Sequence, residues 1–407
     1  MDPLVPAVFV LVYAGMILGE IPGLRLDRAG VALLGAIAMV ASGRTSPERA
    51  WGSVDVATVT LLFGLMVVSA QFRLGGFYTA LTIRMAERGG SPERLLALVV
   101  ASSGLLSAFL ANDIVCLAMA PVLVRACTRR GLDPVPFLLA LAAAANVGSA
   151  GTLIGNPQNM LVGQRLGLSF AGYLADGAVP ALAGLVVVWA VVRRIYRARW
   201  RRSLTVPEVS APPFDRWQST KGALVLAAIV VAFLLAPWPR EAVALAGAGL
   251  LLTSRRMDSR DVLGLVDWQL LVLFLGLFVV NGALADTGVV SRALEGAAGG
   301  GVDLTRPSVL FGAAVVLSNL VSNVPAVMLL LPAASHPQGG PVLALASTLA
   351  GNLVVVGSIA NIIVVEQAGR LGVPIDWRTH ARVGVPVTAG TLVVAAAWMW
   401  LRSGKLP

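Results

Sequence analysis

Asp113 stands inside an apolar region, in the run Ser107-Ala-Phe-Leu-Ala-Asn112-Asp113 that leads on to Pro121. A carboxylate at membrane depth is costly to keep, and by default it marks a relay for protons or cations. Its companions are amides and hydroxyls. Asn112 precedes it, and Thr152, Asn156 and Asn159 follow in Gly148-Ser-Ala-Gly-Thr-Leu-Ile-Gly-Asn-Pro-Gln-Asn159. A second set comprises Ser322 and Asn323, ahead of Pro332, with Asn352, Ser358 and Asn361. The two sets repeat one another. Ser107, Asn112 and Pro121 fall on Ser318, Asn323 and Pro332 without a gap, and Gly155 and Asn159 fall on Gly357 and Asn361 at a slightly shorter offset. Upstream, Val54-Asp55 and Gly64-Leu65 recur as Val266-Asp267 and Gly276-Leu277. Two apolar halves, each broken by polar residues, are the pattern of a repeat-built secondary transporter.

The chemistry follows from helix ends. At the tip of a hairpin, the second helix begins with unpaired N–H groups and the positive end of its dipole. Two tips meeting at mid-membrane make a site for an anion or an oxygen-rich solute without a basic side chain. Broken spans add carbonyls that suit small cations. No Lys or Arg falls within either tip or break, so a trivalent anion fits poorly. A neutral hydroxide, a weakly charged oxyanion, or an anion carried with Na⁺ or H⁺ fits better. Asp113 has two readings, the coupling residue or the N-cap of the helix that starts at Ile114. Asp55 and Asp267 begin spans and read as caps. Cys116 reads as a small core residue, Glu366 as interfacial, and Asp176, His336 and His380 as solvated near span ends.

Composition agrees. Of the 407 residues, 57% are hydrophobic and 13% charged, and mean hydropathy is +0.82. Soluble domains carry roughly 25% charged residues. Several apolar runs approach the ~20 residues that cross a hydrocarbon core about 30 Å thick. Met1-Asp-Pro-Leu lacks a basic stretch, so the first run reads as a span rather than a signal peptide. Two cysteines and two histidines support neither a disulfide framework nor a metal centre. No GxxxxGK[ST] phosphate loop or HExxH is present, so neither direct ATP drive nor a metal site is expected; the repeat pattern leads us to expect a transporter and not an enzyme, with no cofactor. The net charge of +10 does not read as nucleic-acid binding. Arg193, Arg194, Arg197, Arg199, Arg201 and Arg202 follow an apolar run, as a cytoplasmic anchor does.

The expected fold is an all-α polytopic membrane protein of about ten transmembrane helices plus two re-entrant hairpins, an inverted repeat with an elevator mechanism. Residues 1–195 form the first repeat, with scaffold spans in 1–72, a surface helix at 73–91, a hairpin at 93–127, a broken span at 134–166 and a span at 171–192. A basic cytoplasmic linker covers 196–221. The second repeat, 222–407, has scaffold spans in 222–285, a surface helix at 286–304, a hairpin at 305–335, a broken span at 342–369 and a span at 383–401. An odd number of spans per half inverts the second copy. With both termini outside the inner membrane, most of the 31 basic residues fall on the cytoplasmic side.

The runs Ala111-Asn112-Asp113 to Pro121, Asn146 through Asn159 and Ser318-Asn-Leu-Val-Ser-Asn323-Val-Pro-Ala together resemble the ion transporter superfamily, over almost the whole chain. Its members include arsenite permeases, citrate permeases, sodium/proton antiporters and divalent-anion:sodium symporters; the nearest resemblance is to the arsenite-permease and anion-permease branch. The resemblance implies an elevator in which hairpins and broken spans carry the solute past a fixed scaffold. It implies a site at Asn112, Asp113, Thr152, Asn156, Asn159, Ser322, Asn323, Asn352, Ser358 and Asn361. It also implies a small anion or oxyanion substrate (arsenite, antimonite or a carboxylate), coupling to Na⁺ or H⁺, and a homodimer. The symporters have Ser-Asn-Thr at both tips, where this chain has Ala-Asn-Asp and Ser-Asn-Val. One ion site near Asn112, Asp113 and Asn159, or a proton on Asp113, is therefore expected in place of two sodium sites. Arsenite permeases commonly read Gly-Asp-Pro-Pro-Asn in the first break; here it is Gly155-Asn-Pro-Gln-Asn159. A sodium/proton antiporter is the alternative.

Overall fold

The structure, a computed structural model, describes residues 3–19, 23–88, 90–202, 204, 206–207 and 212–403. The end of the first expected span, residue 89 of the surface helix, part of the basic linker and the last four residues lie outside the described residues. The first half contains α1 (Leu4–Leu18), α2 (Arg28–Ala41), α3 (Pro47–Ser53), α4 (Val56–Leu74), α5 (Phe77–Arg88), α6 (Pro92–Phe109), α7 (Asn112–Arg129), α8 (Val135–Ser149), α9 (Pro157–Arg165) and α10 (Phe170–Tyr196). The second contains α11 (Arg216–Leu235), α12 (Arg240–Leu252), α13 (Ser259–Leu263), α14 (Trp268–Asp286), α15 (Val289–Gly299), α16 (Pro307–Val321), α17 (Asn323–Leu330), α18 (Gly339–Ala350), α19 (Ile359–Arg370) and α20 (Trp377–Ser403). Six of these, α4, α6, α10, α11, α14 and α20, are long and apolar enough to cross a membrane.

Local sequence explains the starts. Ser46 and Ser91 accept hydrogen bonds from the first turns of α3 and α6, each with Pro at the first helical position. Asp55 and Asp267 cap α4 and α14 through Thr58 N (2.8 Å) and Leu270 N (2.9 Å). Asp215 caps α11, so residues 216–221 of the linker are helical. The short helices α3 and α13, seven and five residues long, were not expected from the sequence; neither is long enough to show a periodic pattern.

Packing recurs in exchange between the halves. The α2–α14 contact is matched by α4–α12, α6–α8 by α16–α18, and α1–α14 by α4–α11. Two glycines carry the closest of these approaches. A Cβ on Gly64 would stand 2.8 Å from the backbone of Ala244, and one on Gly276 would stand 2.6 Å from that of Ala32. The interior belongs to α8 and α18, all of whose residues are buried. Two surface expectations need correction. Asp176 is paired with Arg402 at 2.8 Å, joining α10 to α20, and His380 is buried among helices instead of solvated.

Candidate functional site

The two hairpin tips meet. Asn112 and Asp113 open α7, and Asn323 and Val324 open α17. Together with Ser322, Pro157, Gln158, Ser358 and Ile359 they border a cleft of about 20 Å³, roughly one water in size. Asp113 is its one ionisable lining residue. The helix start excludes the capping reading of Asp113. The helix α7 begins at Asn112, Ala111 holds the cap position, and no side chain makes a cap bond there. Asp113 therefore sits in the first turn, where the helix dipole favours its negative charge. At the other tip Ser322 has φ 73°, the only positive φ of a non-glycine residue among those described. Backbone held in this region costs about 1–3 kcal/mol and tends to persist at ligand-binding sites.

Behind the cleft lie two polar hubs that the site expectation did not include. Asn146, on α8, uses its whole amide: Oδ1 accepts from Ser358 Oγ (2.8 Å) and Asn112 Nδ2 (3.2 Å), while Nδ2 donates to Asn352 Oδ1 (2.8 Å) and Asn361 Oδ1 (3.2 Å). Thr348, on α18, accepts from Gln158 Nε2 (3.1 Å) and Asn156 Nδ2 (3.2 Å) and donates to Asn159 Oδ1 (3.1 Å). Each hub belongs to one half and ties the broken span of the other. The register that superposes Asn159 on Asn361 also superposes Asn146 on Thr348. That match, two polar residues near the ends of otherwise apolar helices, was the available signal.

The remaining expected residues divide by role. Asn159 Nδ2 donates to Thr152 O (2.9 Å), Tyr173 OH (3.1 Å) and Ser149 O (3.3 Å), and Asn361 Nδ2 donates to Gly351 O (2.8 Å) and Val354 O (3.2 Å). Both therefore satisfy carbonyls freed by the breaks, and neither lines the cleft. The oxygen of Asn159 is already taken by Thr348. Thr152 donates to Ala108 O, pinning the first break to α6, and Asn352 faces Asn146. Asn323, with its amide turned to suit its neighbours, donates to Ser347 O (3.0 Å) and Gly357 O (3.2 Å) and accepts from Gln158 Nε2 (3.3 Å). Among the described residues, Asn112 Oδ1, Ser107 Oγ, Ser318 Oγ and Asn319 Oδ1 are buried oxygens that find no hydrogen-bond partner.

One cavity approaches the cleft from the Arg73 end of α4. A cavity of about 240 Å³ runs from Asp113 and Asn156 to Arg73, at the end of α4, and Asp267, at the start of α14. Arg73 thus brings a cation into the approach to a site whose tips and breaks have none. At the other end of α4, polar contacts tie α9 to α4 and α12. Arg165 Nε, ending α9, pairs with Asp55 at 2.8 Å. Beside it Gln164 Nε2 donates to Glu241 Oε2 (3.0 Å) and Arg240 Nη2 donates to Gly163 O (2.9 Å). Tyr13 OH, on α1, donates to Asn281 Oδ1 (3.1 Å) and to Pro325 O beside the second tip (3.4 Å).

Paired tips, broken helices and apolar spans define a membrane transporter. The citrate transporter family model matches residues 13–350, and the chain belongs to that family, within the ion transporter superfamily. A 46 kDa membrane protein of Mycobacterium leprae is 31% identical, covering 97% of both chains. The silicon efflux transporter LSI3 of Oryza sativa subsp. japonica is 28% identical over 93% of this chain and 92% of its own. Among solved structures, the YdaH transporter of Alcanivorax borkumensis superposes with a TM-score of 0.58 over 98% of this chain and 97% of its own, at 14% identity, a likeness of fold.

Proposed function

We propose that this chain is a secondary transporter of a small oxyanion or neutral oxyacid, of the arsenite/antimonite or carboxylate class, coupled to H⁺ or Na⁺ through Asp113. The observation that carries the reading is the single cleft bordered by both tips and both breaks, with Asp113 as its one ionisable residue. Hydroxyls and amides suit a solute rich in oxygen and poor in charge. One relative is a silicon efflux transporter, and in the approach Arg73 offsets part of the negative charge of Asp113 and Asp267. Neutralising Asp113 with an ion before the solute enters removes the repulsion between the carboxylate and an anion.

The cavity on the Arg73 side supports alternating access as the mode of transport in this reading. In this reading α1–α4 and α11–α14 form the scaffold, and α6–α9 with α16–α19 form the carrier that slides along it. The ties at Asp55, Glu241 and Tyr13 hold the carrier in the state open toward Arg73, which the arginine bias places on the cytoplasmic side. A sodium/proton antiporter is the competing reading, because a lone carboxylate at a tip also suits cation exchange. Uptake into proteoliposomes, with a solute panel and imposed proton or sodium gradients, separates the two. Asp113→Asn is expected to leave solute binding intact and abolish gradient-driven accumulation. Full gradient-driven uptake by that variant would refute the coupling role, and Na⁺ flux without any oxyanion or oxyacid uptake would favour the antiporter.

A further inference from the structure

The residues that tie the end of α9 have matched positions in the second half. The step from Asp55 to Asp267 also carries Gly64 to Gly276 and Arg28 to Arg240. Arg165-Leu166-Gly167-Leu168, where α9 ends, recurs as Arg370-Leu371-Gly372-Val373, where α19 ends. The two ends share one geometry. Gly167 and Gly372 have φ 60° and 76°, and Leu168 N and Val373 N donate back to Gly163 O (3.1 Å) and Ala368 O (2.9 Å). Arg165 therefore corresponds to Arg370, and Gly163 O to Ala368 O. Their partners differ. Arg165 Nε pairs with Asp55 at 2.8 Å, and Arg240 Nη2 donates to Gly163 O (2.9 Å). In the second set, Arg370 Nη2 turns to Glu366 of its own helix at 3.8 Å. Asp267 lines the approach cavity, and Arg28 Nε donates to Met16 O (3.2 Å) in the last turn of α1.

Packing follows the same division. Helix α9 packs against α4, whereas α19 makes no comparable packing with α14. Ile363 of α19 and the segment Gly264, Leu265 and Asp267 ahead of α14 line the approach cavity together, so the cavity stands where the matched contact is missing. Halves related by inversion exchange their packing when the facing direction reverses. Building on the alternating access proposed above, we propose that Asp267 and Arg370 form the ion pair that shuts the Arg73 face in the opposite state, with Arg28 moving from Met16 O to Ala368 O. One tie has no match. Gln164 and Glu241, joined at 3.0 Å, fall on Gly369 and Ala29, whose side chains carry no polar group. The second latch is one contact poorer, and the protein accordingly rests open toward Arg73.

The test uses the purified full chain in proteoliposomes, and neither of its readouts depends on the solute. Asp267→Cys with Arg370→Cys is treated with a short bifunctional thiol reagent, and the joined peptides are quantified by mass spectrometry; Cys116 and Cys127 are buried. Adding Arg165→Ala releases the first latch and should raise the yield of this link about fivefold. No link, or a yield that Arg165→Ala leaves unchanged, would overturn the proposal. The second readout is labelling of Ala111→Cys by an impermeant thiol reagent from the Arg73 side, which Arg165→Ala should lower. In that background Arg370→Gln should restore labelling, while Arg370→Lys, which keeps the charge, should leave it low. Glu366→Gln, which breaks only the present partner of Arg370, should leave it low as well. Labelling that stays low with Arg370→Gln, or recovers with Glu366→Gln too, would overturn the latch. Labelling that never responds to Arg165→Ala would overturn alternating access itself, and the latch with it.

Discussion

Asn146 shows how much one side chain can decide inside a protein of this kind. Its amide spends two donors and two acceptor positions on four side chains, three of them from the second half. Truncation to alanine would orphan buried oxygens and an amide together, each costing about 1–3 kcal/mol. Asn146→Ala is therefore expected to lower stability in detergent by about 2–3 kcal/mol, allowing for partial relaxation, and to abolish transport. Thr348→Ser keeps the hydroxyl that joins Gln158, Asn156 and Asn159, and should be close to native in thermal unfolding; a Thr348→Ser loss as large as that of Asn146→Ala would remove the hub from the account. Asp113 differs from both. It has no capping duty to lose, so on the proposed coupling role its removal should be read in gradient-driven uptake and leave stability nearly unchanged.

At the scale of elements, α9 matters most. Its first residues border the cleft, and its last residues are tied to Asp55 before α4 and to Arg240 and Glu241 of α12. Asp55 serves twice, capping α4 through Thr58 N and pairing with Arg165. The Arg165 side chain is 42% exposed, so the ion pair is worth no more than about 1 kcal/mol. Arg165→Ala should still shift the balance between the two facing states roughly fivefold. Ala111→Cys reports that shift, since Ala111 lines the approach cavity while Cys116 and Cys127 are buried. Labelling of Ala111→Cys by an impermeant thiol reagent from the Arg73 side should fall when Arg165→Ala is added. Unchanged labelling would mean that the α9 end does not hold this state.

At the scale of the whole molecule, exchanged packing between halves is what a two-fold relation produces. The glycine contacts Gly64–Ala244 and Gly276–Ala32 join α4 to α12 and α14 to α2 in matching fashion. The membrane adds a direction. Arginine bias predicts both termini outside and the loop after Tyr196 in the cytoplasm. Alkaline phosphatase fused after Ser403 should be active, and fused after Arg202 inactive; the reverse pattern would invert the proposed orientation and move the open cavity to the other face.

The sequence by itself determined an all-helical chain of apolar segments, the internal repeat spacing and the two polar breaks, because hydrophobic length and constant spacing are local and countable, whereas the short α3 and α13 escaped it. The register also contained Asn146 and Thr348, but a polar residue at the end of an apolar helix has no meaning until its partners are known. Most of those partners lie in the other half of the chain, so only tertiary structure could make hubs of them, or show that Asn159 and Asn361 satisfy carbonyls while Gln158 faces the cleft. Only tertiary structure, too, brought Arg73 from the far end of α4 to the approach of a site with no basic residue in its tips. Spacing along a chain fixes which helices form; which side chain faces a cavity depends on helix rotation and on groups distant in sequence.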